Sequence, residues 1–259
     1  MPRAVETQHP ARTTYSAPAL EKGLEIIELL AAERRPMSTR AIAERLGRSK
    51  GEIFRVVFVL VERGYLRRDA ASDELTLSNR LFELGMRTPR ARELIEVAVP
   101  AMEALSDACG QSPHLVVVNN GETVVVASTA GQSEISFTLR LGYRRPVLDA
   151  TSGRIILAFQ DLATRTRLIE EGLALAAGPV DLAALGAQLD AIAAFGYLVA
   201  ESRDVVGVTD IGAPILDRDG RGLASIVVPY LNRHGSTPHH DQVLERLLAC
   251  CRGITEALR

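Results

Sequence analysis

Ile42-Ala43-Glu44-Arg45-Leu46-Gly47-Arg48-Ser49-Lys50-Gly51-Glu52-Ile53-Phe54-Arg55 is the stretch on which the reading of the chain turns. Ile42, Ala43 and Leu46 share one side of a short helix that Ser38 is placed to cap and Gly47 to end. Ser49 and Glu52 then stand at capping-box spacing. The Ser49 hydroxyl satisfies one orphan amide of the next helix and the Glu52 carboxylate reaches back to another. That helix is expected to run to about Arg63, to bury Ile53, Val56, Val57 and Leu60, and to stop at Gly64. Two short helices joined by a glycine-centred turn are the helix-turn-helix pattern.

Working outward, Leu20, Leu24, Ile27 and Leu30 keep a helical spacing and predict a first helix over 19–32 with that apolar face. Beyond Gly64 the period drops to about two. Tyr65–Arg68 and Glu74–Leu77 flank a turn at Asp69–Asp73, which predicts a two-stranded wing, and Ser78 is expected to cap a helix containing Leu81, Phe82 and Leu84. A helix-turn-helix sets the start of its second helix in the major groove of DNA. Ser49, Lys50 and Gly51 would lie nearest base edges or phosphates, and Arg55 one turn on suits a phosphate or a guanine. Arg40, Arg48, Arg67 and Arg68 would contact phosphates. Phe54 and Phe58 read as core or dimer contacts rather than wedges between bases. The rival reading is a winged helix that docks protein.

Charge separates these readings. The net charge is -2, but residues 34–68 carry ten Arg or Lys against three Asp or Glu, whereas residues 86–259 carry sixteen against twenty. A basic segment on an acidic body is the footprint of a modular DNA binder. A length of 259 residues favours two domains. The division expected is a disordered tail at 1–17, a winged helix-turn-helix at 18–85, a linker helix at 86–110 and a second domain at 111–259.

Within the linker, apolar positions from Leu94 to Leu105 predict a helix over 91–109, kinked at or starting near Pro100. His114–Val118 and Thr123–Ser128 flank Asn119-Asn120-Gly121-Glu122, a hairpin signal. Ile135–Arg140 alternates as a third strand. Helices are expected over Arg154–Phe159, 162–171, 181–195 and 238–258, and strands over Tyr197–Glu201, Thr209–Leu216 and Leu223–Val228. The fold class is α+β, with helices beside an antiparallel sheet.

Several of these segments resemble the IclR family of transcriptional regulators. They are Ala19 to Leu30, Ile42 to Gly47, Gly64-Tyr65-Leu66, Ala150 to Ala158, Phe195-Gly196-Tyr197 and Ile211 to Gly220, in the family's order. The third helix departs from the commonest pattern, with Lys50-Gly51 where a Ser-Thr pair is usual. The resemblance implies a C-terminal effector-binding domain of GAF-like fold, binding to operator DNA, and a dimer or tetramer. It also implies a pocket for a small organic acid at Thr151, Ser152 and Gly153. Leu148 would be its apolar wall, and the strand positions Ala200, Val208, Asp210, Val227 and Pro229 would complete it. Helix-start amides suit a carboxylate. Because Ala200, Val227 and Pro229 are apolar, the expected ligand is an aromatic or aliphatic carboxylate rather than a two- or three-carbon acid. Asp210 either receives a ligand hydroxyl or amine or stands in solvent, and His114 reads as a satisfied structural histidine.

Other functions find little support. Ser152 lacks the Gly-x-Ser-x-Gly elbow of a hydrolase, and no phosphate-binding glycine loop follows a strand. His234, His239 and His240 lack supporting carboxylates, so neither a metal nor another cofactor is expected. Cys109, Cys250 and Cys251 read as small buried residues in a reducing cytoplasm. No apolar run approaches the roughly 20 residues that span a bilayer, and Met1–Ala17 has no secretory pattern, so the expected location is cytoplasmic with no membrane partner.

Overall fold

The computed structural model describes residues 16–131, 137–176, 178–203, 205–231 and 239–259. The expected tail therefore lies outside the described residues except for Ser16 and Ala17, as do Ile135 and Ser136 of the expected third strand, and His234. The chain divides into two compact units, the first ending at Arg92 and the second starting at Glu93.

In the first unit, α1 (Pro18–Glu33), α2 (Thr39–Arg45) and α3 (Lys50–Glu62) precede a ribbon of β1 (Leu66–Arg68) and β2 (Leu75–Leu77), then α4 (Arg80–Met86). Ile26, Leu30, Met37, Ile42, Ile53, Val57, Leu66 and Leu75 form its core. The Ser38 hydroxyl accepts from the Ala41 amide at the start of α2. Gly47 turns the chain between α2 and α3 at φ 62°, a left-handed conformation that costs glycine little. β1 and β2 pair antiparallel with Arg67 opposite Thr76, and Met37 bridges Leu75.

Two local expectations need correction. The buried side of α1 carries Gly23, Ile26 and Leu30, while Leu20 and Leu24 are 63% and 51% exposed. Gly23 faces α3, where a Cβ would stand 3.7 Å from a Val56 methyl, so part of the buried side is a residue that gives no hydrophobic signal. At α4 the N-cap is Asn79 rather than Ser78. The Ser78 hydroxyl instead ties the wing to the end of α3, accepting from the Arg80 amide and donating to the Gly64 carbonyl.

The helix α5 (Pro89–Cys109) begins in the first unit and runs through Pro100 into the second. It starts earlier than its periodicity predicts, and Pro100 neither begins nor ends it. The segment read as a linker is part of the second unit's core from Glu93 onward, with Leu94, Ala98, Met102 and Leu105 buried there.

The second unit continues with β3 (His114–Asn119), β4 (Glu122–Ser128), β5 (Arg144–Pro146), α6 (Thr151–Ala158), α7 (Leu162–Leu173) and α8 (Leu182–Phe195). It closes with β6 (Leu198–Glu201), β7 (Val208–Leu216), β8 (Gly222–Leu231) and α9 (His240–Ala257). The strands form an antiparallel sheet in the order β5-β4-β3-β8-β7-β6. Asn120 and Gly121 both take positive φ in the β3–β4 hairpin, as a tight Asn-Gly turn requires.

One sheet face presents Leu115, Ile211, Ala213, Ile226 and Val228 to α5 and α9, whose Leu247, Cys251 and Ile254 are buried there. The other face receives α6, and Leu168, Leu185, Leu189 and Ile192 of α7 and α8 pack beyond it. Three glycines let α6 sit close. Gly153 lies under the Val147 carbonyl, Gly212 faces Ile155, and a Cβ at Gly222 would stand 2.7 Å from the Ile156 carbonyl oxygen.

The third strand expected over Ile135–Arg140 is not seen in its described part, Phe137–Arg140. The sheet edge is made by β5, with Arg144 opposite Val124. α6 also begins at Thr151 rather than Arg154, which places Thr151, Ser152 and Gly153 inside its first turn. Among the described residues no helix is long and apolar enough to cross a membrane, and no group of three potential metal ligands occurs. The three cysteines are free thiols; Cys251 is buried, whereas Cys109 and Cys250 are half-buried against the core.

Candidate DNA-binding and ligand sites

The capping box at the start of α3 is complete. The Ser49 hydroxyl accepts from the Glu52 amide at 3.3 Å, and Glu52 accepts from the Ser49 amide at 3.2 Å. Lys22 of α1 donates to the other Glu52 carboxylate oxygen at 2.5 Å. The Lys22 ammonium, aided by the Ser49 hydroxyl and amide, holds the Glu52 carboxyl down at about 2. The Ser49 side chain is thus committed to the helix start.

The expected contact arginines divide into two groups. Arg48 donates through Nε and Nη2 to the two Glu25 oxygens at 3.0 and 2.8 Å, bracing the turn against α1. Arg40 pairs with Glu44 and Arg68 with Asp73. Lys50, Arg55 and Arg67 are exposed and make no ion pair among the described residues. Gly51 is exposed, with nothing within 4 Å of where a Cβ would stand. Phe54 and Phe58 are 51% and 58% exposed, which removes the core reading for them.

In the second unit a cavity of about 340 Å³ opens between the sheet and the start of α6. Of the positions singled out from the sequence, Thr151, Ser152, Asp210, Val227 and Pro229 line it, joined by His114. Leu148, Gly153, Ala200 and Val208 do not. Leu148 is buried against Gly172 of α7 and the neighbouring core. Gly153 is covered by the Val147 carbonyl. Ala200 pairs with Asp210 from the edge strand β6, and Val208 is buried opposite Leu231 at the start of β7.

The polar side of the cavity is built by α6 and its neighbours. Ala150, the N-cap, has no side chain to satisfy the amides of the first turn, so they remain available to an acceptor. Arg145 of β5 lines the same cavity. The Thr151 hydroxyl donates to Asp210 Oδ2 at 2.9 Å. Burial raises the Asp210 carboxyl above its usual range, while the Thr151 hydrogen bond and the Arg145 charge oppose the rise. Asp210 is therefore a half-buried wall residue rather than a solvated strand end.

His114 is buried in the cavity wall, with the Ser112 backbone as a hydrogen-bond partner of its imidazole and its Nδ1 out of reach of solvent. Burial pushes its imidazole down to about 4. Val116, Val125, Phe137 and Leu139 supply apolar walls. This arrangement can hold an anionic group beside an apolar body.

The model for the IclR helix-turn-helix domain matches residues 19–70, and that for the C-terminal part of the bacterial transcriptional regulator IclR matches residues 87–256. The chain belongs to the IclR family. It is 24% identical over 238 residues to the HTH-type transcriptional regulator KdgR of Escherichia coli (strain K12), with 90% of each chain covered. It is 24% identical over 245 residues to the Pca regulon regulatory protein of Pseudomonas putida, covering 93% of this chain and 84% of that protein. Among solved structures, an IclR homolog from Microbacterium hydrocarbonoxydans complexed with 4-hydroxybenzoate aligns with a TM-score of 0.77 at 25% identity. That alignment covers 93% of this chain and 99% of the other. IclR-family proteins are transcriptional regulators, with a DNA-binding helix-turn-helix and a C-terminal effector-binding domain, and not enzymes.

In this IclR-family regulator the cavity residue most clearly missed by sequence reasoning is Arg145. Its strand is three residues long and reads Arg144-Arg145-Pro146, which has neither alternation nor β-branching and looks like loop. Ser202 and Arg203, which also line the cavity, follow β6 without any motif of their own.

Proposed function

We propose that this regulator binds operator DNA as a homo-oligomer through the start of α3, and that its cavity takes an aromatic or aliphatic monocarboxylate as effector. The observation that carries the effector reading is the cavity itself, where uncapped α6 amides and Arg145 adjoin walls of valine, leucine and phenylalanine. A space of about 340 Å³ is within the range of small-molecule pockets. It is generous for a two- or three-carbon acid. The 4-hydroxybenzoate in the Microbacterium homolog and the Pca regulon name of the Pseudomonas relative favour the aromatic choice.

For DNA, α3 offers Lys50, Gly51 and Arg55 on its exposed side, and Arg67 adds a cation on the wing. Arg40, Arg48 and Arg68 support this surface through their carboxylate partners. Specific affinity from one winged helix requires two copies on a symmetric operator. Leu20, Leu24 and Phe82, large apolar side chains left exposed on the first unit, favour association with a second copy.

Calorimetry tests the effector. Benzoate or a hydroxybenzoate should bind, and tight binding of glyoxylate or pyruvate with none of the larger acids would overturn the reading. Gel shift with DNA upstream of the gene, across a salt series, tests the other half. Affinity should fall steeply with salt, and Arg55→Ala should abolish specific binding while leaving the oligomer intact. A flat salt response would favour a protein-docking winged helix.

A further inference from the structure

Phe54 and Phe58 of α3 are 51% and 58% exposed, two large aromatic side chains that the rest of their unit leaves uncovered. Single exposed apolar residues are ordinary in a folded domain, whereas an adjacent pair of this size is informative. Helical spacing says which side they occupy. Phe54 follows Gly51 by three residues, and Phe58 follows Arg55 by three and Phe54 by four. Gly51, Phe54, Arg55 and Phe58 therefore form one exposed side of α3, turned away from buried Ile53 and Val57, with Lys50 at its leading edge. We propose that Phe54 and Phe58 read thymine in the operator, by apolar contact with the C5-methyl groups that thymine presents in the major groove. This rests on the operator-DNA reading proposed above.

Charge favours DNA over a second copy as the occupant of this side. Lys50 and Arg55 flank the rings, exposed and without an ion pair among the described residues. Residues 34–68 hold ten Arg or Lys against three Asp or Glu. A two-fold contact would bring the same cations face to face, whereas a polyanion complements them. Glu62, also exposed, lies one turn past Phe58, at the end of α3 remote from the start that faces the groove. The thymine methyl is the apolar group on the major-groove edge of the bases, and phenylalanine is a suitable partner for it. Residues four apart on a helix are displaced by about 6 Å along its axis, comparable to two base steps of about 3.4 Å. The pair can thus meet methyls on neighbouring bases. Wedging of a side chain between bases belongs to the minor groove and kinks the duplex, and contact with a methyl requires neither.

The test is a gel-shift titration of the full-length protein with a duplex that it selects from a random pool. The duplex is made once with thymine and once with deoxyuridine at every thymine position. Uracil keeps the hydrogen-bonding groups of thymine and lacks only the methyl. Wild type should bind the uracil duplex more weakly by about fourfold or more, the worth of one buried methyl group. Phe54→Ala/Phe58→Ala should bind the two duplexes within about twofold of each other, while keeping the wild-type oligomer in sizing chromatography. If that variant does not fold, wild type is titrated with duplexes in which thymines are replaced one at a time, and the loss should be confined to a few positions of each half-site. Equal binding of both duplexes by wild type, a thymine preference surviving in the double variant, or a loss spread evenly over all thymines would overturn the assignment and leave the DNA reading standing. A smaller oligomer with the thymine preference intact would likewise overturn it and make this side of α3 an interface between copies. Failure of wild type to select any duplex would overturn both.

Discussion

At the start of α3, the Glu52 carboxylate closes the capping box with Ser49 and pairs with Lys22, and both interactions favour its charged form. Its carboxyl lies at about 2, below the ordinary 4.5. A lowered carboxyl contributes stability that is fully present above the unfolded value and is lost as pH falls through the folded one. Glu52→Ala should therefore lower the melting temperature at pH 7, and the gap to wild type should close between about pH 4.5 and 2. Thermal scans across that window check it. His114 acts in the opposite sense. Its imidazole is uncharged when folded and takes up a proton on unfolding below pH 6.5, so it removes stability as pH falls from 6.5 towards 4. Replacing it with Gln should flatten the pH dependence in that range by about one proton, measurable as the slope of unfolding free energy against pH.

Among the elements, α3 and α6 use glycine for different reasons. Gly51 meets nothing on its own chain, so Gly51→Ala should leave the fold intact and, in the first turn of α3, stabilise it by less than the roughly 0.5–1 kcal/mol of a mid-helix position. If the start of α3 enters the major groove, that methyl should still weaken operator binding; unchanged affinity in a gel shift would place the groove contact elsewhere. Gly153 is hemmed in by the Val147 carbonyl, and Ala there should destabilise by about 1–3 kcal/mol, read as a lower denaturation midpoint. The same contrast explains what was legible in the sequence. α3 is bounded by local chemistry, Ser49 with Glu52 at one end and Gly64 beyond the other, and local chemistry can be read from a string. α1 buries Gly23, Ile26 and Leu30, so of its expected face Leu30 was read correctly, whereas Leu20 and Leu24 misled because Gly23 gives no hydrophobic signal. α6 begins at Thr151, where Gly153 and Gly212 admit a close helix, a tertiary arrangement that left Thr151-Ser152-Gly153 ahead of the helix expected from Arg154. The cavity was legible only where a motif passed through it. Thr151, Ser152, Asp210, Val227 and Pro229 were visible through the family resemblance, whereas Arg145 depends on a strand pairing that its own residues do not announce.

For the whole molecule, charge is distributed by function. Residues 34–68 hold ten cationic against three acidic side chains, and residues 86–259 hold sixteen against twenty. Binding to DNA through such a segment releases counterions, so the logarithm of affinity should fall linearly with the logarithm of salt. Arg67→Ala should make that slope shallower by roughly 1 for each copy bound and weaken different sequences evenly, because a phosphate contact carries no base information. A change confined to one sequence would instead make Arg67 a base-reading residue. The ligand end of the molecule has its own consequence. The chain contains five tyrosines and no tryptophan, and Tyr143 stands in the cavity wall. Its ultraviolet emission therefore comes from a few phenol rings, one of them in the wall of the proposed effector cavity, with no indole to mask them. A change in that emission as an aliphatic carboxylate, transparent at those wavelengths, is titrated in would report occupancy of the cavity without a dye or label.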